Sequence, residues 1–205
     1  MSDSQTTGSG YLPMFNVRAK GCFVADSKQV CWKCGKDTKV FGIMVPPLHE
    51  RKIDVEDTWE AMDTAAFITN VEFLPPEIIA KIQRKSSRYW VDYSRAEKKK
   101  YWMNHCDSCG VKQGDFYLYM EPEGAFFHDQ YTAPAVLLWA VEEDFICCGE
   151  PLYGDHSYEY MTVYGRVEAV RKLLLPVLPR PDARKEVANR LSVFAKIFSL
   201  GAKND

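Results

Sequence analysis

The sequence predicts an α+β fold: a small antiparallel sheet built around two cysteine knuckles, an insertion between the knuckles, and helices at the C-terminus. Three observations predict it. Two Cys-x-x-Cys-Gly segments, Cys31–Gly35 and Cys106–Gly110, each lie between strand-like runs. The stretch that separates them, residues 35–105, is too long for one ribbon loop and carries apolar patterning of its own. After residue 166 the apolar residues recur at helical spacing.

The elements follow in order. Residues 1–10, MSDSQTTGSG, have the composition of a disordered tail. Tyr11 to Val24 contains a short strand, and Thr38 to Val45 is a β-strand by composition, stopped by Pro46 and Pro47. An insertion is expected over about 48–98. It holds a strand from Ala66 to Phe73, then a short helix with Pro76 in its first turn and Ile78, Ile79 and Ile82 on one face. Ser94 and Glu97 have the spacing of a capping box before the exposed run Arg95 to Lys100. Tyr101 to His105 should be a strand that enters the second knuckle, and Asp115 to Met120 a further strand. Glu121-Pro122-Glu123-Gly124 has the residues of a β-turn. Pro134 to Glu143 is expected as a short helix and Tyr158 to Tyr164 as a strand. Two helices, near Val167 to Leu175 and Asp182 to Leu200, are expected to close the chain, separated by Pro176, Pro179 and Pro181. Residues 11–205 thus read as one domain.

Bulk composition bounds the function. The chain has 205 residues, 46% hydrophobic and 26% charged, enough for a core that needs no metal merely because of size. Its formal net charge of −2 suits neutralisation of phosphates poorly. No apolar stretch resembles a signal peptide or reaches the ~18 residues of a membrane span, so a cytoplasmic location is expected. The cysteine count of seven is odd, and in a reducing compartment the paired spacing reads as metal binding before disulfide formation.

The knuckles carry the chemistry. A Cys-x-x-Cys turn wraps backbone amides around two thiolates, and the following glycine supplies the left-handed conformation that leaves the turn. Cys31, Cys34, Cys106 and Cys109 are therefore expected to hold one structural Zn²⁺ in a tetrahedral Cys₄ site, a zinc ribbon split by the insertion. Its long gap costs little, because loop-closure entropy grows slowly with length. Buried free thiols and a redox Cys-x-x-Cys are the alternatives. The second needs a strand–motif–helix setting, whereas both motifs here lead into strand-like sequence. A Cys₄ site has no open position for water or substrate, which points to stability and away from metal catalysis.

The stretch Tyr101-Trp102-Met103-Asn104-His105-Cys106, then Cys109-Gly110 and Gln113-Gly114-Asp115-Phe116-Tyr117-Leu118, resembles uncharacterised bacterial zinc-ribbon proteins. Cys31-Trp32-Lys33-Cys34 resembles their first knuckle. The resemblance covers about a quarter of the chain. It implies the Cys₄ assignment and a bacterial or phage origin, and it implies no activity.

The remaining candidates read as structure. Adjacent Cys147 and Cys148 cannot easily turn both sulfurs to one ion, and Cys22 reads as a packed thiol. His105 abuts a ligand and could replace one, whereas His49, His128 and His156 do not cluster. Glu142-Glu143-Asp144 and Lys98-Lys99-Lys100 read as solvated surface, with docking patches as the alternative. Tyr89, Trp90, Tyr93, Tyr101 and Trp102 read as core and rim, with a base-stacking surface as the alternative. No phosphate loop, nucleophile elbow or zinc-protease motif is present. The expected function is non-catalytic: a zinc-stabilised protein that binds another protein, one form of which is neutralising a bacterial toxin or effector. Nucleic-acid binding through Lys36, Lys39 and Lys98–Lys100 is the alternative.

Overall fold

A computed structural model describes residues 15–52, 58–127, 135–154 and 166–167. Its strands are β1 (Val17–Ala19), β2 (Cys22–Val30), β3 (Asp37–Val45), β4 (Glu50–Lys52), β5 (Trp59–Ala61) and β6 (Ala66–Phe73). They continue with β7 (Tyr89–Ser94), β8 (Lys99–His105), β9 (Lys112–Gln113), β10 (Leu137–Val141), β11 (Phe145–Leu152) and β12 (Arg166–Val167). Two helices interrupt them, α1 (Pro76–Gln83) and α2 (Asp115–Tyr119). The large sheet has nine strands in the order β12-β10-β2-β3-β6-β11-β1-β4-β5, and the small sheet has the order β7-β8-β9. Pairing is antiparallel except where β12 joins β10.

Both faces of the large sheet are covered over part of its central strands, and this explains the consecutive apolar runs Cys22–Ala25, Val40–Val45 and Ala66–Ile68. In the β2–β3 hairpin, Phe23 lies opposite Met44 and Val24 opposite Ile43. Alternation sends these pairs to opposite faces. One face packs Val24, Phe41, Ile43, Ile68 and Cys147 beneath Ile78 and Ile82 of α1 and Tyr89 of β7. The other packs Phe23, Met44, Phe67 and Leu138 beneath Leu118 and Tyr119 of α2 and Phe126 beyond it. In α1 a proline stands in the first turn, Glu77 favours the positive N-terminal end and Lys81 the last turn.

The fold departs from the α+β expectation. The described residues are 49% strand and 11% helix, so this part of the protein is a β-sheet structure carrying two short helices. Of the C-terminal helices expected near Val167 to Leu175 and Asp182 to Leu200, residue 167 is in β12 and the rest lies outside the described residues, as do residues 1–10 and 158–164. The expected helix at Pro134 to Glu143 is instead the strand β10, all five residues of which pair with Cys22–Asp26. A short apolar run cannot distinguish a buried strand from a buried helix by periodicity. The expected strand at Asp115 to Met120 is instead helix α2. Its β-favouring aromatics are outweighed by tertiary packing, which buries Asp115, Leu118 and Tyr119 at helical spacing. The segment read as an insertion places β6 in the middle of the large sheet and β7 in the small one. Among the described residues, no helix is long and apolar enough to cross a membrane.

Helix α2 is tied to β6 by a buried carboxylate. Asn70 adopts φ +50° within β6, opposite a register irregularity between Cys148 and Glu150 of β11. Asparagine tolerates this left-handed conformation better than most residues. The turned Asn70 N–H donates to Asp115 Oδ2 at 2.7 Å, and its side chain donates to Glu150 Oε2 at 2.9 Å. Burial raises Asp115 to about 7; the Asn70 N–H opposes that rise, Glu150 and Glu97 add to it, and Lys99 opposes it. The folded protein therefore holds this proton more tightly than the unfolded chain, whose carboxyl titrates near ~3.9. The stabilisation is complete below pH ~4 and is lost as pH rises through about 7. Asp115→Asn keeps an acceptor for the Asn70 N–H and removes the titration. Urea unfolding of the variant should lose much of the decline in stability between pH 5 and 8, a decline of roughly 2–3 kcal/mol. An unchanged pH profile would show that Asp115 does not couple to folding.

Candidate metal centre

The two knuckles have the same local geometry. In the first, between β2 and β3, Cys31 N–H donates to the Lys36 carbonyl at 2.9 Å and Gly35 N–H to the Cys31 carbonyl at 2.9 Å. In the second, between β8 and β9, Cys106 N–H donates to the Val111 carbonyl at 2.8 Å and Gly110 N–H to the Cys106 carbonyl at 2.9 Å. Gly35 and Gly110 take φ +69° and +70°, where any L side chain is strained. The spacing rule thus holds for a physical reason at both sites: the third residue after each first cysteine turns its thiol back, and glycine lets the chain leave.

The four sulfurs converge. Cys31, Cys34, Cys106 and Cys109 Sγ all lie within 4.8 Å of one another and can hold a metal ion. Cys31 Sγ is 3.7 Å from Cys109 Sγ, and Cys34 Sγ is 3.7 Å from Cys106 Sγ. A disulfide would need ~2.05 Å. A tetrahedral ion with bonds of ~2.3 Å places its sulfurs ~3.8 Å apart. The spacing therefore fits a tetrathiolate centre. Cys31 and Cys106 are buried, whereas Cys34 and Cys109 are exposed.

Nearby donors favour sulfur as an anion. Cys109 N–H points at Cys106 Sγ and the Gln113 amide at Cys31 Sγ, each at 3.5 Å. Burial opposes ionisation of Cys31. The Cys34 and Lys33 amides and the Cys106 and Cys34 thiols outweigh it and lower the group to about 6. At Cys34 the Lys36 amide favours the thiolate, yet desolvation and the neighbouring Cys106, Cys31 and Cys109 sulfurs raise it to about 11. One thiolate forms at the expense of the next, as like charges in one small volume require. A dication removes that conflict.

The second knuckle is fastened to the first by side chains acting as strand partners. β3 pairs with β6 only over residues 43–45. Nearer the knuckle, Phe41 N–H donates to Asn104 Oδ1 and Asn104 Nδ2 donates to the Phe41 carbonyl, both at 2.8 Å. Lys39 N–H donates to Asp107 Oδ2 at 3.0 Å, and Asp107 N–H donates to Thr38 Oγ1 at 2.9 Å. The Trp32 indole spans the knuckles to the Lys112 carbonyl at 3.0 Å. Asn104, Asp107, Thr38 and Gln113 were not singled out for these roles by sequence. The one available signal was an asparagine in a strand, where that residue is depleted.

The other sequence candidates fall elsewhere. His105 turns away from the sulfurs: Nδ1 is 3.1 Å from the Met103 carbonyl, Nε2 is 3.2 Å from Asp92 Oδ2, and its ring stacks on Trp90. Cys22 and Cys147 are buried in the large sheet, Cys148 is half-buried, and desolvation raises all three thiols. His49 is buried with Nδ1 on the Pro46 carbonyl and Nε2 on Tyr153 Oη. His128 and His156 lie outside the described residues. The two knuckles do not share one small sheet, as a ribbon would require: the first belongs to the large sheet and the second to the small one.

Comparison of the chain with protein-family models, with curated proteins and with solved structures found no match.

Asn104→Ala leaves the buried Phe41 N–H and carbonyl without partners while leaving all four cysteines in place. Each orphaned group costs ~1–3 kcal/mol, so the variant should lose roughly 2–5 kcal/mol in denaturant unfolding. A loss below ~0.5 kcal/mol would show that the amide bridge does not join the sheets.

Proposed function

We propose that this protein is a non-catalytic, zinc-stabilised binding protein whose partner is another protein. The observation that carries the reading is the closed set of four sulfurs at tetrahedral spacing. Soft thiolates in that arrangement suit zinc or iron. With every corner supplied by cysteine, a zinc ion here keeps no position for water or substrate, as in structural sites. Its work is to join the large and small sheets.

Protein purified without chelator should contain about one zinc per chain and little iron by elemental analysis. Cys31→Ser and Cys106→Ser should lose the metal and destabilise the fold by several kcal/mol, because metal-binding energy is also folding energy. Cys147→Ser should keep the zinc. Metal-free wild type with four reactive thiols, or metal loss in Cys147→Ser equal to that in Cys31→Ser, would overturn the assignment.

Three features favour a protein partner over nucleic acid. Lys99, central in the basic run, is held by Glu72 and Glu150 and is not free for phosphate. The aromatics that could stack bases are largely committed: Tyr89 and Tyr101 are buried, Trp90 stacks on His105 and Trp102 on Tyr89. The net charge is negative, and four thiolates around one dication take it further so. The same acidic balance motivates a role in neutralising a toxin or effector, for which a toxin-like gene beside this one would be the first support. Mixed single- and double-stranded oligonucleotides at near-physiological salt should show no micromolar mobility shift. Tight binding lost on Lys98→Ala, Lys99→Ala and Lys100→Ala together would replace this reading with the nucleic-acid one.

A further inference from the structure

Apolar exposure on this molecule is concentrated in one short segment. Among the described residues, ten large hydrophobic side chains are exposed, and four of them fall between residues 116 and 127. They are Phe116 (64% exposed), Tyr117 (47%), Met120 (49%) and Phe127 (44%). Single exposed apolar residues are ordinary, but a cluster is not. Helix α2 turns Leu118 and Tyr119 into the core and leaves Phe116 and Met120 outside, one turn apart, with Met120 N–H on the Phe116 carbonyl at 2.9 Å. Phe126 N–H donates to the Leu118 carbonyl at 2.9 Å, which folds the chain back so that Phe126 enters the core and Phe127 stays outside.

The segment is held firmly. Ala125 N–H donates to Gln29 Oε1 at 2.8 Å, and Gly124 lies so close to the helix that a Cβ there would stand 2.6 Å from the Leu118 carbonyl oxygen. A surface fixed beforehand loses little freedom on binding.

Its charge is one-sided. Residues 113–127 contain no lysine or arginine. Glu121 and Glu123 lie between Met120 and Phe127 in the chain, and neither has an ion-pair partner among the described residues. The acidic run Glu142-Glu143-Asp144 differs: Glu143 is 3.9 Å from Lys81 and Asp144 is 3.3 Å from Lys20.

We propose that Phe116, Tyr117, Met120 and Phe127, with Glu121 and Glu123 at the rim, dock a partner protein through a segment of apolar side chains flanked by lysine or arginine. The proposal rests on the protein-partner reading above and adds the surface and its chemistry. Apposing two copies of this face would bring four carboxylates together, which like-charge repulsion disfavours. Anionic lipid headgroups are repelled for the same reason.

The test uses the full-length zinc-loaded protein, calorimetry and two synthetic amphipathic peptides, one of leucine and lysine and one of leucine and glutamate. Wild type should prefer the lysine peptide by about tenfold or more, Phe116→Ser with Met120→Ser should weaken its binding about tenfold, and Glu121→Lys with Glu123→Lys should reverse the preference. Phe116, Met120 and Glu123 are exposed and Glu121 is half-buried, and unchanged zinc content and melting temperature would show that the variants fold. Lysine-peptide binding that both variants leave intact would overturn this surface while the protein-partner reading stood. Failure of both peptides together with oligonucleotide binding would overturn both. A wild-type dimer in sedimentation, lost in Phe116→Ser with Met120→Ser, would overturn the proposal in favour of a second copy.

Discussion

The half of β3 that β6 leaves unpaired is the constraint on which the rest of the structure depends. Strand β6 follows β3 for three residues, 43–45, and the edge nearer the first knuckle still carries backbone groups that need partners. A buried orphan there would cost as much as a lost hydrogen bond. The second knuckle's hairpin meets the need with side chains. Asn104 makes both bonds that a neighbouring strand would make to Phe41, and Asp107 makes the one to Lys39. The small sheet is thereby laid along the large one at the height that brings Cys106 and Cys109 to Cys31 and Cys34. Sulfur convergence follows from backbone bookkeeping, and a metal would lock it.

The two faces of the large sheet divide the labour. On one, α1 and β7 cover a core of aliphatic residues with Phe41 and Phe145, and β8 reaches the knuckles alongside. On the other, α2 and the turn after it cover Phe23, Met44 and Phe67, and the cover itself presents aromatics outward. Asp115 joins the two regions, since it begins α2 and accepts from the turned backbone of β6. The motif Gln113-Gly114-Asp115 thus takes three physical roles in a row. Gln113 donates toward a knuckle sulfur, Gly114 starts the helix, and Asp115 anchors it.

Particular elements show how legible the fold was. Ala66–Phe73 is a strand with the bounds read from its β-branched and aromatic composition, and Pro76 begins a helix that buries Ile78 and Ile82 as the spacing predicts. Local chemistry decides such segments. Pro134 to Glu143 and Asp115 to Met120 depart from expectation in opposite directions: the first holds the strand Leu137–Val141 where a helix is expected, the second the helix Asp115–Tyr119 where a strand is expected. In each case the deciding term is which neighbour buries the side chains. β7 carries no clear strand signal, because its residues alternate between core, rim and solvent within six positions. Ser94 does accept the Glu97 N–H at 3.2 Å, yet it closes a hairpin turn and no helix follows.

The sequence by itself determined the four cysteine positions of the candidate metal centre, because Cys-x-x-Cys-Gly encodes its own turn: the hydrogen bonds that close it and the positive φ that leaves it are local. Only the tertiary structure decided that the two knuckles lie on different sheets, that Asn104 and Asp107 substitute for a missing strand, and that α2 turns Phe116 and Met120 to solvent. Those outcomes depend on residues far apart in the chain, such as Phe41 with Asn104 and Asn70 with Asp115. No window of sequence contains both partners, and the energy that selects the arrangement exists only once the sheets have met.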